Sequence, residues 1–142
     1  MSATLVHATC IAIGGRGVLL MGPPGIGKSD LALRLIDRGA VLVSDDQTRI
    51  EAGDGRLLAS APATIAGKLE VRGVGIVALP ASPPVPLALC VALDAAPVRM
   101  PEVPLGRRAL AGGELPLIAL AALEASAPVK VEQALACYGL AG

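Results

Sequence analysis

Residues Gly22-Pro23-Pro24-Gly25-Ile26-Gly27-Lys28-Ser29 satisfy the pattern G-x-x-x-x-G-K-S/T at every fixed position. No other stretch restricts so strongly what this chain can become. Glycines let the backbone curl until its N–H groups point at phosphate oxygens, and a helix begun at the end of such a loop presents an N-terminus that favours anions. In this pattern the lysine reaches the β- and γ-phosphates as a point charge and the serine hydroxyl ligates Mg²⁺. An apolar segment, residues 18–21, precedes the loop, and a helical pattern follows it. Lys28 is one of only three lysines in the chain, so an incidental lysine in a glycine turn is a poor account of it.

The segments around the loop predict its setting. Residues 8–13 read as a strand, residues 14–17 (Gly-Gly-Arg-Gly) as a tight turn, and residues 18–21 as a second strand. Residues 29–38 read as a helix, with Leu31, Leu35 and Ile36 on one face and Gly39 as its stop. Residues 41–43 form a short buried strand ending in Ser44-Asp45-Asp46. Strand, loop, helix and strand in this order predict a β-loop-α-β unit with parallel strands. Further on, residues 49–51, 56–61, 76–79 and 87–93 read as strands, with a turn at 53–55. Residues 80–86, with four prolines, and 97–113 read as loops. Residues 115–123 read as a helix with Pro116 in its first turn, residues 129–131 as a short extended piece and residues 132–138 as a last helix. The expected fold is α/β, a P-loop domain with a mixed sheet and flanking helices, and residues 1–142 are expected to form a single domain.

Composition narrows the function. With 54% apolar residues but one Tyr, no Phe and no Trp, the core has to be aliphatic. Lys plus Arg and Asp plus Glu number 12 each, which speaks against a sequence-independent nucleic-acid binder. Cys10, Cys90 and Cys137 lack the spacing of a zinc knuckle or redox dithiol and fit a reducing cytosol. The N-terminus has no signal-peptide pattern, and the most apolar windows, such as 86–93, fall short of a membrane span. The expectation is a cytoplasmic protein with no membrane or nucleic-acid partner.

Asp45 and Asp46 stand at the end of the strand that follows the loop's helix, where α/β sheets place their ligands. Successive residues there point in different directions, so one carboxylate can face a metal and the other an acceptor hydroxyl. Glu70-Val71-Arg72-Gly73-Val74-Gly75-Ile76 sets a carboxylate and a guanidinium before two glycines; alone, it reads as a salt-bridged strand end. His7, the only histidine, alone reads as a surface or capping residue.

Taken together, His7, Gly22–Ser29, Arg38–Asp46, Ser60-Ala61-Pro62 and Glu70–Ile76 resemble the catalytic domain of HPr kinase/phosphorylase, over about the first half of the chain. The short form resembles the α-proteobacterial variant, without the N-terminal domain of longer members. The resemblance implies an ATP- and Mg²⁺-dependent protein serine kinase acting on HPr or an HPr-like phosphocarrier of a phosphotransferase system. It makes Lys28 the phosphate-binding lysine, and Ser29 and Glu70 the Mg²⁺ ligands. Asp46 becomes the base on the acceptor serine, with Asp45 its neighbour. His7 is an active-site histidine, and Arg99 is matched to a further active-site arginine. It also implies a homo-oligomer, hexameric in the long form. Pro128-Val129-Lys130-Val131 resembles a family segment continued by Gly-Arg-Asn, but here Glu132-Gln133-Ala134 follows. A carboxylate there would repel the two anions of the reverse reaction, so phosphorylase activity is expected to be weak or absent. Two other readings of the loop are a small-molecule P-loop kinase and a nucleotide-dependent regulatory binding module.

Overall fold

The structure is a computed structural model that describes residues 3–142. In chain order its elements are β1 (Thr4–Val6), β2 (Ala8–Ile13), β3 (Arg16–Met21), α1 (Lys28–Asp37), β4 (Val41–Ser44), β5 (Thr48–Gly53), β6 (Arg56–Ser60), β7 (Lys68–Val71), β8 (Gly75–Ala78), β9 (Val85–Ala92), β10 (Arg107–Leu110), β11 (Gly113–Ala119) and α2 (Ala127–Tyr138). The fold is α/β, built on a mixed sheet.

The main sheet runs β1-β5-β6-β9-β3-β2-β4. β9 lies parallel to β3, pairs antiparallel with β6 through Val85 and Pro86, and pairs parallel with β11 through Cys90–Ala92; β10 closes a hairpin on β11. The sheet therefore forks at β9. β2 and β3 form a hairpin with Ile13 opposite Arg16, and Gly14 and Gly15 supply the two positive φ values, 58° and 82°, that this two-residue turn needs. β4 does not touch β3. Both are antiparallel to β2, which lies between them, so they run in the same direction without sharing a hydrogen bond. The expected β-loop-α-β unit is present in direction, with the hairpin strand inserted into it.

Both faces of the sheet are buried, which is why β3 and β9 read as continuous apolar runs. Val18, Leu20, Leu89 and Val91 pack with Leu31 and Leu35 of α1 and Val131 and Leu135 of α2. On the other face Cys10, Leu19, Cys90 and Leu115 pack beneath Ile50, Leu57 and Ala59 of the curled β5–β6 end. No Phe or Trp exists in the chain, so two tightly interleaved aliphatic layers replace a few large rings.

Three expectations need correction. Residues 115–123 are not a helix: β11 covers Gly113–Ala119. The run Leu115-Pro116-Leu117-Ile118 has no periodicity to separate a strand from a helix. What decides is the slot beside β9, together with the turn at Ala111 and Gly112, both at positive φ, which starts the strand as half of a hairpin. By the same hairpin, the segment 97–113 holds a strand, β10. Residues 129–131 are not extended; they lie inside α2, whose buried side chains Ala127, Val131, Ala134 and Leu135 follow helical spacing, with Pro128 tolerated in the first turn.

Among the described residues, no helix is long and apolar enough to cross a membrane. Cys10 and Cys90 are free thiols within the core, whereas Cys137 is exposed on α2. Burial pushes the Cys10 thiol well above its ordinary value and the Cys90 thiol up to about 12. At pH 8 a thiol-exchange reagent should therefore modify only Cys137 in the native protein and all three cysteines in denaturant. Titration of released chromophore checks this, and a second fast-reacting native thiol would contradict the packing.

Candidate active site

The loop Gly22–Ser29 leaves the carboxyl end of β3 and turns into α1. Gly27 caps the helix in a left-handed conformation, φ 109°, which suits glycine and few other residues. At Gly22 a Cβ would lie 2.8 Å from Ile26 Cγ2, so the loop closes on itself with no room for a side chain there. Lys28 is almost fully buried, and its ammonium donates to the carbonyls of Gly22 at 2.6 Å and Pro23 at 3.2 Å. The lysine is thus held at the mouth of the loop by the loop's own backbone.

Asp45 and Asp46 sit immediately beyond β4, at the same edge of the sheet, because β4 runs in the direction of β3. Their carboxylates diverge. Asp45 is tied on all sides: Ser29 Oγ donates to its Oδ1 at 2.7 Å, Thr9 Oγ1 to the same oxygen at 3.3 Å, and the Glu70 backbone N–H to its Oδ2 at 3.1 Å. Asp46 accepts no hydrogen bond of this kind. Its side chain is 56% exposed and faces Lys28 Nζ at 4.0 Å and His7 Nε2 at 3.4 Å. Asp46 adopts φ 67°, a left-handed conformation that aspartate tolerates better than most residues. Its backbone N–H is anchored on Thr9 Oγ1 at 3.0 Å. That turn separates the two carboxylates.

The structure therefore brings together His7, the loop residues, Lys28, Ser29, Asp45 and Asp46, with Glu70 joined through its main chain. The Glu70 carboxylate is exposed on the β7–β8 hairpin and makes no ion pair among the described residues. Arg99 lies in the exposed segment between β9 and β10 and makes no hydrogen bond or ion pair among the described residues. The guanidinium beside His7 belongs to Arg108: a cavity of about 350 Å³ is lined by His7, Met21, Gly22, Asp94 and Arg108, among others. Arg108 is near enough to Cys90 for its charge to oppose the burial that raises that thiol.

Glu132 is not at the loop. It forms a forked pair with Arg38, 2.9–3.1 Å, at the C-terminal end of α1. The ten-residue helix separates that pair from the loop by roughly 15 Å. The expectation that Glu132 repels anions during reverse transfer loses its ground. The segment that does touch the loop is the turn after β11: a Cβ on Gly27 would lie 3.2 Å from Leu123 Cδ2 and 3.3 Å from Ala122 Cβ.

Sequence reasoning missed Thr9, Asp94 and Arg108. Asp94 carried a signal, a carboxylate just past an apolar strand. Thr9 carried none, because its role exists only once β2 separates β3 from β4.

The geometry fits a nucleoside triphosphate with Mg²⁺. The loop is a closed cradle, the ammonium sits at its mouth, and a hydroxyl oriented by a carboxylate points from the first turn of α1. No three His, Cys, Asp or Glu side chains among the described residues converge into a metal cage. The side-chain oxygens nearest the loop that could reach an ion are those of Ser29 and Asp45; Mg²⁺ usually takes one or two protein ligands and completes its shell with phosphates and water.

The family model for the HPr serine kinase C-terminal domain matches residues 1–82, more than half of the chain. The chain belongs to this family. HPr kinase/phosphorylase of Clostridium botulinum (strain Eklund 17B / Type B) is 46% identical over 74 residues, 52% of this chain and 24% of that protein. The same-named protein of Clostridium tetani is 46% identical over 77 residues, 54% of this chain and 25% of its own length. The chain thus spans about a quarter of the curated relatives it matches. A solved structure, the Hpr(Ser) kinase/phosphatase from Coxiella burnetii, superposes with a TM-score of 0.80 at 28% identity, covering 94% of both chains. The likeness in fold therefore extends well past residue 82, into the part where the family model no longer matches.

The Thr9 hydroxyl bridges Asp45 and the Asp46 N–H from a fully buried position. Thr9→Val keeps its shape and removes both bonds, leaving the Asp46 N–H without its acceptor. The expected loss is about 1–3 kcal/mol of stability, read from the urea midpoint at unchanged slope. A variant as stable as the parent would mean the bridge holds nothing in place.

Proposed function

We propose that this chain is an ATP- and Mg²⁺-dependent protein serine kinase that phosphorylates HPr or an HPr-like phosphocarrier. The observation that carries the proposal is the contrast between the two aspartates. Asp45 is saturated with hydrogen bonds and organises Ser29; Asp46 faces outward between Lys28 and His7. A nucleotide-dependent regulatory binding module would not need a carboxylate held ready at the mouth of a phosphate loop. The names of the relatives, all kinases of HPr, supply the acceptor.

The loop N–H groups and Lys28 would hold the phosphates, Lys28 exchanging its two carbonyl acceptors for phosphate oxygens. Ser29 would ligate Mg²⁺, with Asp45 fixing the hydroxyl and the Glu70 carboxylate reaching the ion from the β7–β8 hairpin. When bound, the nucleotide supplies the phosphoryl group and the ion neutralises charge on its oxygens. Asp46 would accept the proton from the acceptor serine Oγ as that oxygen attacks, and His7, on its far side, would orient the carboxylate. Arg108, at the cavity beside His7, takes the place in this scheme that the resemblance gave to Arg99. Positioning and charge neutralisation account for most of the rate in such transfers. The family resemblance adds a homo-oligomeric assembly and a cytoplasmic location to the proposal.

The direct test is incubation with labelled ATP, Mg²⁺ and a purified HPr-like protein, followed by a search for acid-stable phosphoserine. Its absence with an acceptor that is phosphorylated by a known HPr kinase would refute the assignment.

Two variants divide the roles. Lys28→Ala should lower transfer by about 10²–10³ with the thermal midpoint little changed. Asp46→Asn should lower kcat by about 10²–10⁴ while nucleotide affinity stays within a few-fold. If the Asn variant instead loses Mg²⁺-nucleotide binding and keeps single-turnover chemistry, Asp46 is a metal ligand and Asp45 becomes the base.

A further inference from the structure

The turn between β11 and α2 is held beside the phosphate loop by a device that the transfer chemistry does not use. Arg34, on the second turn of α1, donates from Nη1 to the Glu124 carbonyl at 3.1 Å and from Nη2 to the Ala122 carbonyl, while its Nε binds Asp30 Oδ2 at 3.0 Å. The carbonyls on either side of Leu123 are thus clamped to the helix that begins at the loop. Leu123 itself is 78% exposed, beside Gly27. A leucine fixed in solvent by hydrogen bonds to both its neighbours is an apolar surface kept in place for something to cover.

The sheet order says what lies there. Asp46 follows β4, two strands from β3 on one side; Leu123 follows β11, two strands from β3 on the other. The loop lies between them. A triphosphate whose transferring end meets Lys28 and Asp46 has its nucleoside end directed away from Asp46, toward the β11 side. The turn runs through Ala121, Ala122, Leu123, Glu124, Ala125 and Ser126; Glu124 is paired with Lys130 at 2.9 Å, and the Ser126 hydroxyl stands at the far end, where α2 begins. Where the turn meets Gly27, at Ala122 and Leu123, it offers an apolar contact and no side-chain donor or acceptor with which to read a base.

We propose that Leu123, positioned by Arg34, is the seat of the nucleobase, and that it holds the base by apolar contact without distinguishing adenine from guanine. The proposal rests on the nucleotide assignment made above and adds to it the subsite and its lack of base selectivity.

The test is equilibrium binding, by calorimetry with Mg²⁺, of ATP, GTP and inorganic tripolyphosphate to the full chain and to Leu123→Ser, a neutral change at an exposed position. Loss of the buried apolar contact should weaken ATP and GTP alike by about tenfold. Tripolyphosphate, which has no base, should bind both proteins within about twofold, and wild-type ATP and GTP affinities should agree within about fivefold, as expected where no buried polar group is left unpaired by either base. Unchanged ATP affinity in the variant, with Lys28→Ala still abolishing it, would overturn the base seat and leave the nucleotide loop standing. Equal weakening of tripolyphosphate would also overturn it, since Leu123 would then act on the loop. A wild-type preference beyond about tenfold for one base would overturn the absence of selectivity. Failure of the wild-type protein to bind either triphosphate or tripolyphosphate would overturn the nucleotide assignment and this inference with it.

Discussion

The Asp45 carboxylate is the joint on which the candidate site depends. It accepts from a hydroxyl on β2, a hydroxyl on α1 and a backbone N–H on β7, three elements far apart in sequence. Each partner brings something the site needs: Thr9 anchors the turn of Asp46, Ser29 stands in the first turn after the loop, and Glu70 carries the β7–β8 hairpin to the mouth. The Asp45 carboxylate has its lone pairs engaged by three neutral donors in a half-buried place, whereas Asp46 stands at the surface beside Lys28 and His7. Adjacent residues of one type thus meet different surroundings through the turn between them.

That joint is possible only because of the order of the strands. With β2 between β3 and β4, Thr9 lies within reach of the Asp45–Asp46 turn on one side while β3 delivers the loop on the other. β9 performs the matching task across β3. By pairing parallel with both β3 and β11 it brings the turn after β11 to the same edge, where Ala122 and Leu123 meet Gly27. The loop is therefore flanked by two chain segments, one ending in carboxylates and one in small and apolar side chains. The asymmetry of charge across the loop follows from topology, before any ligand is considered.

Local chemistry made the first half of this legible from sequence. A lysine after the third glycine of the motif, a helical face at Leu31 and Leu35, a Gly-Gly turn and paired aspartates after a short strand each act through a few neighbouring residues, and all were found close to where they were expected. The second half depended on tertiary context. Leu115–Leu120 has the composition of a strand or a buried helix, and only the open side of β9 chooses between them. Val129 and Val131 have strand propensity, but the burial of Ala127, Val131, Ala134 and Leu135 on one face overrides it. Arg99 and Arg108 cannot be told apart by spacing, because a loop and an edge hairpin separate them. Residues 132–138 read as a helix, but that helix begins five residues earlier, at Ala127, and only the packing of the two helices sets Glu132 against Arg38, at the end of α1 remote from the loop.

The state of Lys28 ties the loop's shape to its function. An ammonium 5% exposed would be costly to bury unless its hydrogen bonds were met, and the carbonyls of Gly22 and Pro23 meet two of them. Those carbonyls belong to a loop that has no room for a side chain at Gly22, beside Ile26, and that turns left-handed at Gly27. The same lysine that closes the loop is therefore available to any anion that enters it. Neutral carbonyl acceptors are weaker partners for an ammonium than phosphate oxygens, so an anion entering the loop would be favoured over them. In the proposed transfer such a loop would hold the phosphates and leave Asp46, on the open side, to the acceptor.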